Sequence, residues 1–337
     1  ASFLGGGASF TNNRWKPVMA GGAHRYVTPY GDIYRQAPME PGANIPVVQS
    51  TNQRYWDQRS RFWTSVAYPR KQYQAVWARY TGVVRQPKDE LGKQVYRELL
   101  PTRGFLSSVS GGWRYAKGTA YPYSISPEDG RVLAVSAEVT TRLLGSYIVD
   151  ETKPKGRVPF DRLQLTGEAR EYIDLPWSHN HVLGLRGSAG VSFGDQLRYG
   201  AFRLGGSYGE SSYYQLPDEW QSLRGFPVAT VSGNNYYLGT VEYRLPIWRV
   251  DQGAGTVPLF LRALHGAVFI DVGDAFDSGD GLDRPRVGAG TELRMGTIIG
   301  WGLPVDFRLG YAFSVMGQGG YRPSDLESLY LRLGTSF

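Results

Sequence analysis

The chain has 337 residues, of which 41% are hydrophobic, 20% charged and 14% aromatic, and it contains no cysteine. No stretch reaches the ~18 consecutive apolar residues that a membrane-spanning helix needs, and the lack of cysteine excludes a disulfide scaffold and a thiolate metal site. The formal net charge is +7, but Lys and Arg are scattered rather than gathered in a stripe, so we expect no nucleic-acid partner.

Apolar residues alternate with polar or small ones in segment after segment, which is the pattern of β-strands with one apolar face. In 303–315, the odd positions from Val305 to Val315 are all apolar, and the even positions include Asp306 and Arg308. The alternation and the turn residues predict thirteen strands, at 1–12, 14–28, 54–68, 71–86, 103–118, 130–146, 160–174, 180–194, 234–248, 257–274, 285–299, 303–315 and 326–337.

The length of these strands indicates where they lie. A tilted strand needs ~9–11 residues to cross a bilayer, whereas soluble strands usually have ~5–6. A soluble sandwich also alternates, but here short turns containing Pro or Gly alternate with long loops, the longest at 195–233. Aromatic residues such as Trp77, Trp177 and Trp248 collect at strand ends, as in interfacial girdles. We therefore predict an all-β fold, a transmembrane antiparallel β-barrel.

An odd number of strands is unusual for such a barrel. Single-chain bacterial barrels have even strand numbers, and an open edge in hydrocarbon leaves backbone groups unpaired. We expect 16 strands in the intact protein, with 13–14 in this chain; a missed strand or a partner that closes the ring are the alternatives. Residues 1–337 are thus expected to be the barrel domain, with further strands and a periplasmic domain upstream.

Two short motifs stand in the second half of the chain. The loop at 195–233 contains the sequence LRGF at 223–226, and a later strand reads FIDVG at 269–273. Together with the barrel pattern, these motifs resemble the BamA superfamily of bacterial surface antigens, in its C-terminal barrel part. That superfamily includes outer-membrane assembly factors, TamA-like proteins and two-partner secretion translocators. The resemblance covers mainly 160–337, and more weakly 100–160.

The resemblance implies that the loop folds back into the barrel and that its arginine meets carboxylates on the inner wall. The residues that it implies for this contact are Leu223, Arg224, Gly225, Phe226, Glu242, Asp271 and Gly273. The alternation independently places Val241 and Tyr243 toward lipid and Glu242 toward the lumen, where a charged group persists mainly when paired. The alternative is that Arg224 is an ordinary solvated loop residue and Asp271 a turn aspartate.

The last strand carries a second feature of the family. Its alternating apolar residues and terminal aromatic residue resemble the family's C-terminal recognition signal, although a plain last strand would look the same. The positions concerned are Leu329, Leu331, Leu333 and Phe337.

The function that the resemblance implies is not bond-breaking chemistry. We expect a barrel in the outer membrane of a Gram-negative bacterium that assists the insertion of outer-membrane proteins or the translocation of proteins. The expected partners are outer-membrane lipid including lipopolysaccharide, periplasmic domains or accessory subunits, and unfolded outer-membrane clients. We expect no catalytic residue, cofactor or metal. The alternatives are a secretion pore or membrane anchor for a fused or partner domain, a diffusion porin, and a barrel enzyme, for which no convincing triad appears.

Overall fold

A computed structural model of the chain describes residues 4–30, 34–36, 48–50, 55–89, 102–119, 124, 127–149, 156–197, 200–207, 220–227, 230–253, 255–277, 285–300, 302–317 and 327–334. Across these ranges the structure is almost entirely strand and turn, with one 3-10 helix at Arg142–Leu144. None of the described residues belongs to a helix long and apolar enough to cross a membrane.

Twenty strands are formed within the described residues. In chain order they are β1 (Leu4–Asn12), β2 (Val18–Tyr30), β3 (Tyr34–Gln36), β4 (Val48–Ser50), β5 (Tyr55–Lys71), β6 (Gln74–Asp89), β7 (Gly104–Thr119), β8 (Asp129–Thr140), β9 (Tyr147–Val149), β10 (Arg157–Pro159), β11 (Arg162–Asp174), β12 (Val182–Gly194), β13 (Phe202–Leu204), β14 (Trp220–Gln221), β15 (Val231–Gly233), β16 (Asn235–Gly253), β17 (Leu259–Phe276), β18 (Arg286–Ile299), β19 (Leu303–Met316) and β20 (Glu327–Gly334).

Thirteen long strands form one ladder in the order β1-β2-β5-β6-β7-β8-β11-β12-β16-β17-β18-β19-β20, and β9 and β10 join at its side. Neighbouring long strands such as β16 and β17, or β18 and β19, pair antiparallel. The predicted all-β fold and the thirteen predicted strands are therefore confirmed. Two smaller sheets are separate from the ladder, β3-β4 and β14-β13-β15.

The strand predicted at 130–146 is wrong beyond Thr140. The chain leaves the ladder there because Thr141 caps the 3-10 helix, its hydroxyl accepting a hydrogen bond from the Leu143 N–H at 3.3 Å. Gly145 then closes the turn with a positive φ of 85°, a conformation that favours glycine. Alternation alone did not predict this break, since side-chain hydrogen bonds cause it.

The described residues divide into two compact units. In the first, which comprises Ala1–Arg114, Val135–Leu165 and Ser192–Tyr199, the usual burial pattern is inverted. Phe62 and Val66 on β5 are exposed, whereas Arg59 and Arg61 on the same strand are buried. Strands with an apolar outer face and a charged inner face are typical of a protein that lies between lipid and a polar interior.

The second unit comprises Tyr115–Ala134, Thr166–Val191 and Gly200–Phe337, and it shows the same inversion. On β17, Val268 and Ile270 are exposed, whereas Phe269 and Asp271, which alternate with them, are buried. Cross-strand partners share a face, and Asp271 lies opposite Thr240 on β16 and Gly288 on β18. The inner face of this unit therefore presents Asp271.

We predict that a charge on the outer face is tolerated poorly. Val268→Arg, near the middle of β17, should lower the free energy of unfolding in lipid vesicles by ~2–4 kcal/mol, because it places a cation at bilayer depth. Gln72→Arg, in the exposed turn between β5 and β6, is the control and should change it little. Equal stability of the two variants in a urea titration would show that β17 does not face lipid.

Candidate functional site

The candidate site begins with the segment between β12 and β16, which builds a small sheet of its own. Within it, β13 pairs in parallel with β14 and antiparallel with β15. An isolated antiparallel bridge joins Gly206 to Leu223, directly before the tip of the LRGF sequence. These pairings hold the LRGF sequence beside the residues that follow β13.

An apolar cluster attaches this small sheet to the inner face of β16 and β17. Its loop members are Ala201, Phe202, Leu204, Leu223, Phe226 and Val231, and its wall members are Tyr236, Leu238 and Ala275. All are buried, and the Phe202 and Tyr236 rings lie 4.6 Å apart between centroids. Because the described segment covers apolar side chains of the inner wall, its separation from the wall would expose them to water.

Arg224 lies beside this cluster and makes a forked contact with Asp271. Its Nε donates to Oδ2 at 2.7 Å and its Nη2 to Oδ1 at 2.8 Å, while its backbone N–H donates to Oδ2 at 3.2 Å. The Asp271 side chain is 1% exposed and that of Arg224 is 11% exposed. A two-pronged pair in a buried setting fixes orientation as well as charge.

Glu242 and Phe269 complete the environment of the guanidinium. Arg224 Nη1 donates to Glu242 Oε2 at 3.2 Å, and the guanidinium carbon lies 3.4 Å from the centroid of the Phe269 ring. Arg244 Nε donates to the other Glu242 oxygen at 2.7 Å. Two cations and two anions therefore balance one another, which offsets the cost of taking each charge out of water.

Two glycines make the close approach of the loop possible. Gly225 has a φ of 88°, and a Cβ added to it would lie 2.5 Å from the Phe313 carbonyl oxygen on β19. A Cβ added to Gly288 on β18 would lie 1.8 Å from the Arg224 carbonyl oxygen. The tip of the loop thus rests on the backbone of β18 and β19, while its arginine side chain reaches β16 and β17.

A second polar contact lies beside β14. Glu168 on β11 accepts hydrogen bonds from Arg170 at 2.8 Å and from Arg186 at 2.7 Å. Arg186 Nη2 also donates to Gln221 Oε1 of β14 at 3.4 Å. The loop is therefore tied to the inner wall by side chains at both β12 and β17.

The sequence matches a known protein family over nearly its whole length. The Omp85 superfamily domain matches residues 5–337.

The chain belongs to the Omp85 superfamily.

The resemblance to the BamA superfamily is thereby confirmed. Among solved structures, this Omp85 chain is similar to BamA from Haemophilus ducreyi lacking POTRA domains 1-3, with a TM-score of 0.60 and 14% sequence identity. The alignment covers 99% of this chain and 62% of that structure, so the chain spans less than two thirds of its neighbour. At this identity the likeness shows a shared fold, the transmembrane β-barrel. No curated protein matches the sequence.

The structure brings most of the predicted site residues of this Omp85 chain together. Arg224, Glu242 and Asp271 are in direct contact, Leu223 and Phe226 belong to the apolar cluster, and Gly225 forms the tip. Gly273 has a different role: it leaves room for the loop, because a Cβ added to it would lie 3.1 Å from the Leu204 side chain of β13.

The predicted C-terminal signal lies apart from this site. Leu329 and Leu331 on β20 are exposed, Leu333 lies opposite Phe307 in the ladder, and Phe337 falls outside the described residues. Between the two leucines, the Tyr330 hydroxyl donates to Glu292 at 3.1 Å. The last described strand thus presents leucine side chains outward, and its Tyr330 forms a hydrogen bond on the inner side.

Around the Arg224 guanidinium and the loop tip, sequence reasoning missed Phe269, Arg244 and Gly288. Phe269 and Arg244 stand at inward positions of their strands, so the alternation could have indicated them. Gly288 could not have been found, because its importance depends on where the loop backbone lies.

We predict that loss of Arg224 is costly. Arg224→Ala should lower the free energy of unfolding by ~3–5 kcal/mol, because it leaves Asp271 buried without the cation that it contacts and leaves Glu242 with Arg244 alone. Arg224→Lys should restore little, since an ammonium reproduces neither the fork nor the stacking. The control is Arg131→Ala, which removes a two-pronged contact with Glu171 from an arginine that is 57% exposed and should change the free energy of unfolding little. Comparable losses for the two alanine variants would contradict a special role of the buried contact.

We also predict that Gly288→Ala displaces the loop tip. The added methyl group overlaps the Arg224 carbonyl, and such overpacking costs ~1–3 kcal/mol. Gly187→Ala is the control, since a Cβ there meets nothing within 4 Å. Limited proteolysis of the loop should become faster in Gly288→Ala and stay unchanged in Gly187→Ala. Unchanged cleavage in both would contradict the close approach.

Proposed function

We propose that the chain is an outer-membrane barrel that assists the insertion of outer-membrane proteins or the translocation of proteins. The observation that carries the proposal is the loop tip, which Arg224 and the apolar cluster attach to the inner faces of four consecutive strands, β16 to β19. In this proposal the contact holds that part of the wall as a rigid unit beside β20, the last strand of the ladder.

A rigid wall next to a terminal strand suits a template for incoming strands. An exposed strand edge offers unpaired N–H and C=O groups, and an extended client segment can add to it by β-augmentation. The Tyr330–Glu292 hydrogen bond and the ladder with β19 tie β20 to this wall. Movement at β20 would therefore require less disruption than movement within β16–β19, where the buried ion pair would have to break.

A diffusion porin is the alternative from another class, and the inner face argues against it. A porin lumen is polar and filled with water. Here the inner face of β16 and β17 carries Tyr236 and Leu238, and the loop covers both side chains. This arrangement supports a scaffold with a folded loop inside rather than an open channel.

The proposed setting is the outer membrane of a Gram-negative bacterium. The proposed partners are outer-membrane lipid including lipopolysaccharide, periplasmic domains or accessory subunits, and unfolded outer-membrane proteins. In this proposal the chain is not an enzyme. A secretion pore or a membrane anchor for a fused or partner domain is the alternative within the superfamily.

The test is a client-folding assay with the full-length protein in liposomes. An unfolded eight-stranded outer-membrane protein is added, and its folded fraction is measured by heat-modifiability. Wild type and Arg131→Ala should accelerate folding of the client, whereas Arg224→Ala should lose most of this acceleration. Single-channel recordings on the same samples give the second readout.

The outcomes separate the candidates. No acceleration by wild type, together with a large and steady conductance, would favour the porin. No acceleration and no conductance would favour the anchor, and equal acceleration by Arg224→Ala and wild type would contradict the role given to the loop contact.

A further inference from the structure

The interruption after β8 places a short turn outside the sheet. The chain leaves the ladder after Thr140 and returns to it at Ser146. The Ser146 hydroxyl accepts a hydrogen bond from the Ser107 N–H and donates one to the Ser107 carbonyl, both at 2.8 Å. Pairing then resumes as β9 joins the start of β7, with Gly104 opposite Ile148 and Phe105 opposite Tyr147. The residues of the excursion are 142–145.

The neighbours of the turn show that it leaves on the outer face. Phe105 stacks on the exposed Phe62 of β5, with centroids 6.3 Å apart, and its ring lies 6.4 Å from that of Tyr147. A Cβ added to Gly145 would lie 4.0 Å from the same Phe105 ring. Because Phe62 belongs to the apolar outer face of the first unit, the turn lies over that face.

Two leucines occupy the turn. Leu143 is 90% exposed, more than the outward-facing Val109 and Val139 at 46% each, and Leu144 is also exposed. A leucine that projects this far gains free energy when lipid replaces water around it. The adjacent aromatic rings of Phe62, Tyr80, Phe105 and Tyr147 are of the kind that forms belts at the membrane interface.

Charged groups at the base of the turn fit the same boundary. Arg142 Nε lies 2.8 Å from Asp161 Oδ2, and Asp161 also accepts hydrogen bonds from the Arg142 N–H and the Thr141 hydroxyl. These hydrogen bonds hold the pKa of Asp161 below its usual range. The base of the turn is therefore polar while its tip is apolar, an order that matches a passage from headgroups into acyl chains.

We propose that the turn at 142–145 is a lipid-binding wedge that inserts Leu143 and Leu144 among the acyl chains of the leaflet on the side of the long loops. The occupant is lipid, because the turn is continuous with the apolar outer face and lies next to aromatic rings. The inference rests on the proposed membrane placement.

The 337 residues contain no cysteine, which allows a direct test by site-directed spin labelling of the protein in liposomes. Four single variants are labelled. Leu143→Cys and Leu144→Cys report on the turn, Val139→Cys is the lipid-facing reference, and Gln72→Cys is the water-exposed reference. Power saturation then measures collisions of each label with oxygen, which partitions into lipid, and with a water-soluble nickel chelate. Heat-modifiability checks that each variant is folded.

The wedge predicts that the label at 143 collides often with oxygen and rarely with the chelate, as at 139 and unlike at 72. Access of the chelate at 143 equal to that at 72 would overturn the inference while leaving the membrane placement intact. Low collision rates with both reagents would also overturn it, because they would mean that protein covers the turn. Chelate access at 139 as well as 143 would instead overturn the membrane placement on which the inference rests.

Discussion

A buried guanidinium must find its hydrogen-bond acceptors inside the protein, and this requirement organises the second unit around Arg224. Its forked contact with Asp271, its bond to Glu242 and its position over Phe269 recruit groups from two adjacent strands. Arg244 balances the remaining charge on Glu242. The backbone around Arg224 passes Gly288 on β18 and Phe313 on β19, and a Cβ added at Gly225 or Gly288 would collide there. The ion pair thus constrains both the wall and the loop.

The apolar cluster and the ion pair contribute differently. Burial of Phe202, Leu204 and Leu223 against Tyr236 and Leu238 supplies a favourable free energy that does not depend on direction. A buried ion pair stabilises the folded state little more than apolar packing of the same volume would. The loss or misplacement of one partner, however, destabilises the protein strongly, because the other charge stays buried without a counter-charge. We therefore interpret the cluster as what attaches the loop to the wall, and Arg224 as what fixes the position of the loop along the strands. An inner wall that carries both is well suited to hold a loop in one place.

The sequence predicted the strands well because the alternation has a period of two and persists across each of them. It failed at 141–146, where the hydroxyls of Thr141 and Ser146 compete with the ladder for backbone groups. For the site, the alternation placed Glu242 on the inner face, and the resemblance carried by the two motifs implied the contact between Arg224 and Asp271. The same alternation could have placed Phe269 on the inner face. It could not have indicated Gly288, because the role of Gly288 follows from the path of a loop that has no periodicity. The exposed position of Leu143 likewise became visible only once the break was known.

The account depends on direct energetic coupling between Arg224 and Asp271, and a double-mutant cycle measures that coupling. The free energies of unfolding of wild type, Arg224→Ala, Asp271→Ala and the double variant would be determined by urea titration in the same lipid. Residues in one buried network show coupling of ~0.5–3 kcal/mol, and we expect a value in the upper half of that range, with the double variant less damaged than the sum of the two single variants. Additivity within ~0.3–0.5 kcal/mol, as for distant and independent sites, would contradict the claim that this contact holds the loop to the wall.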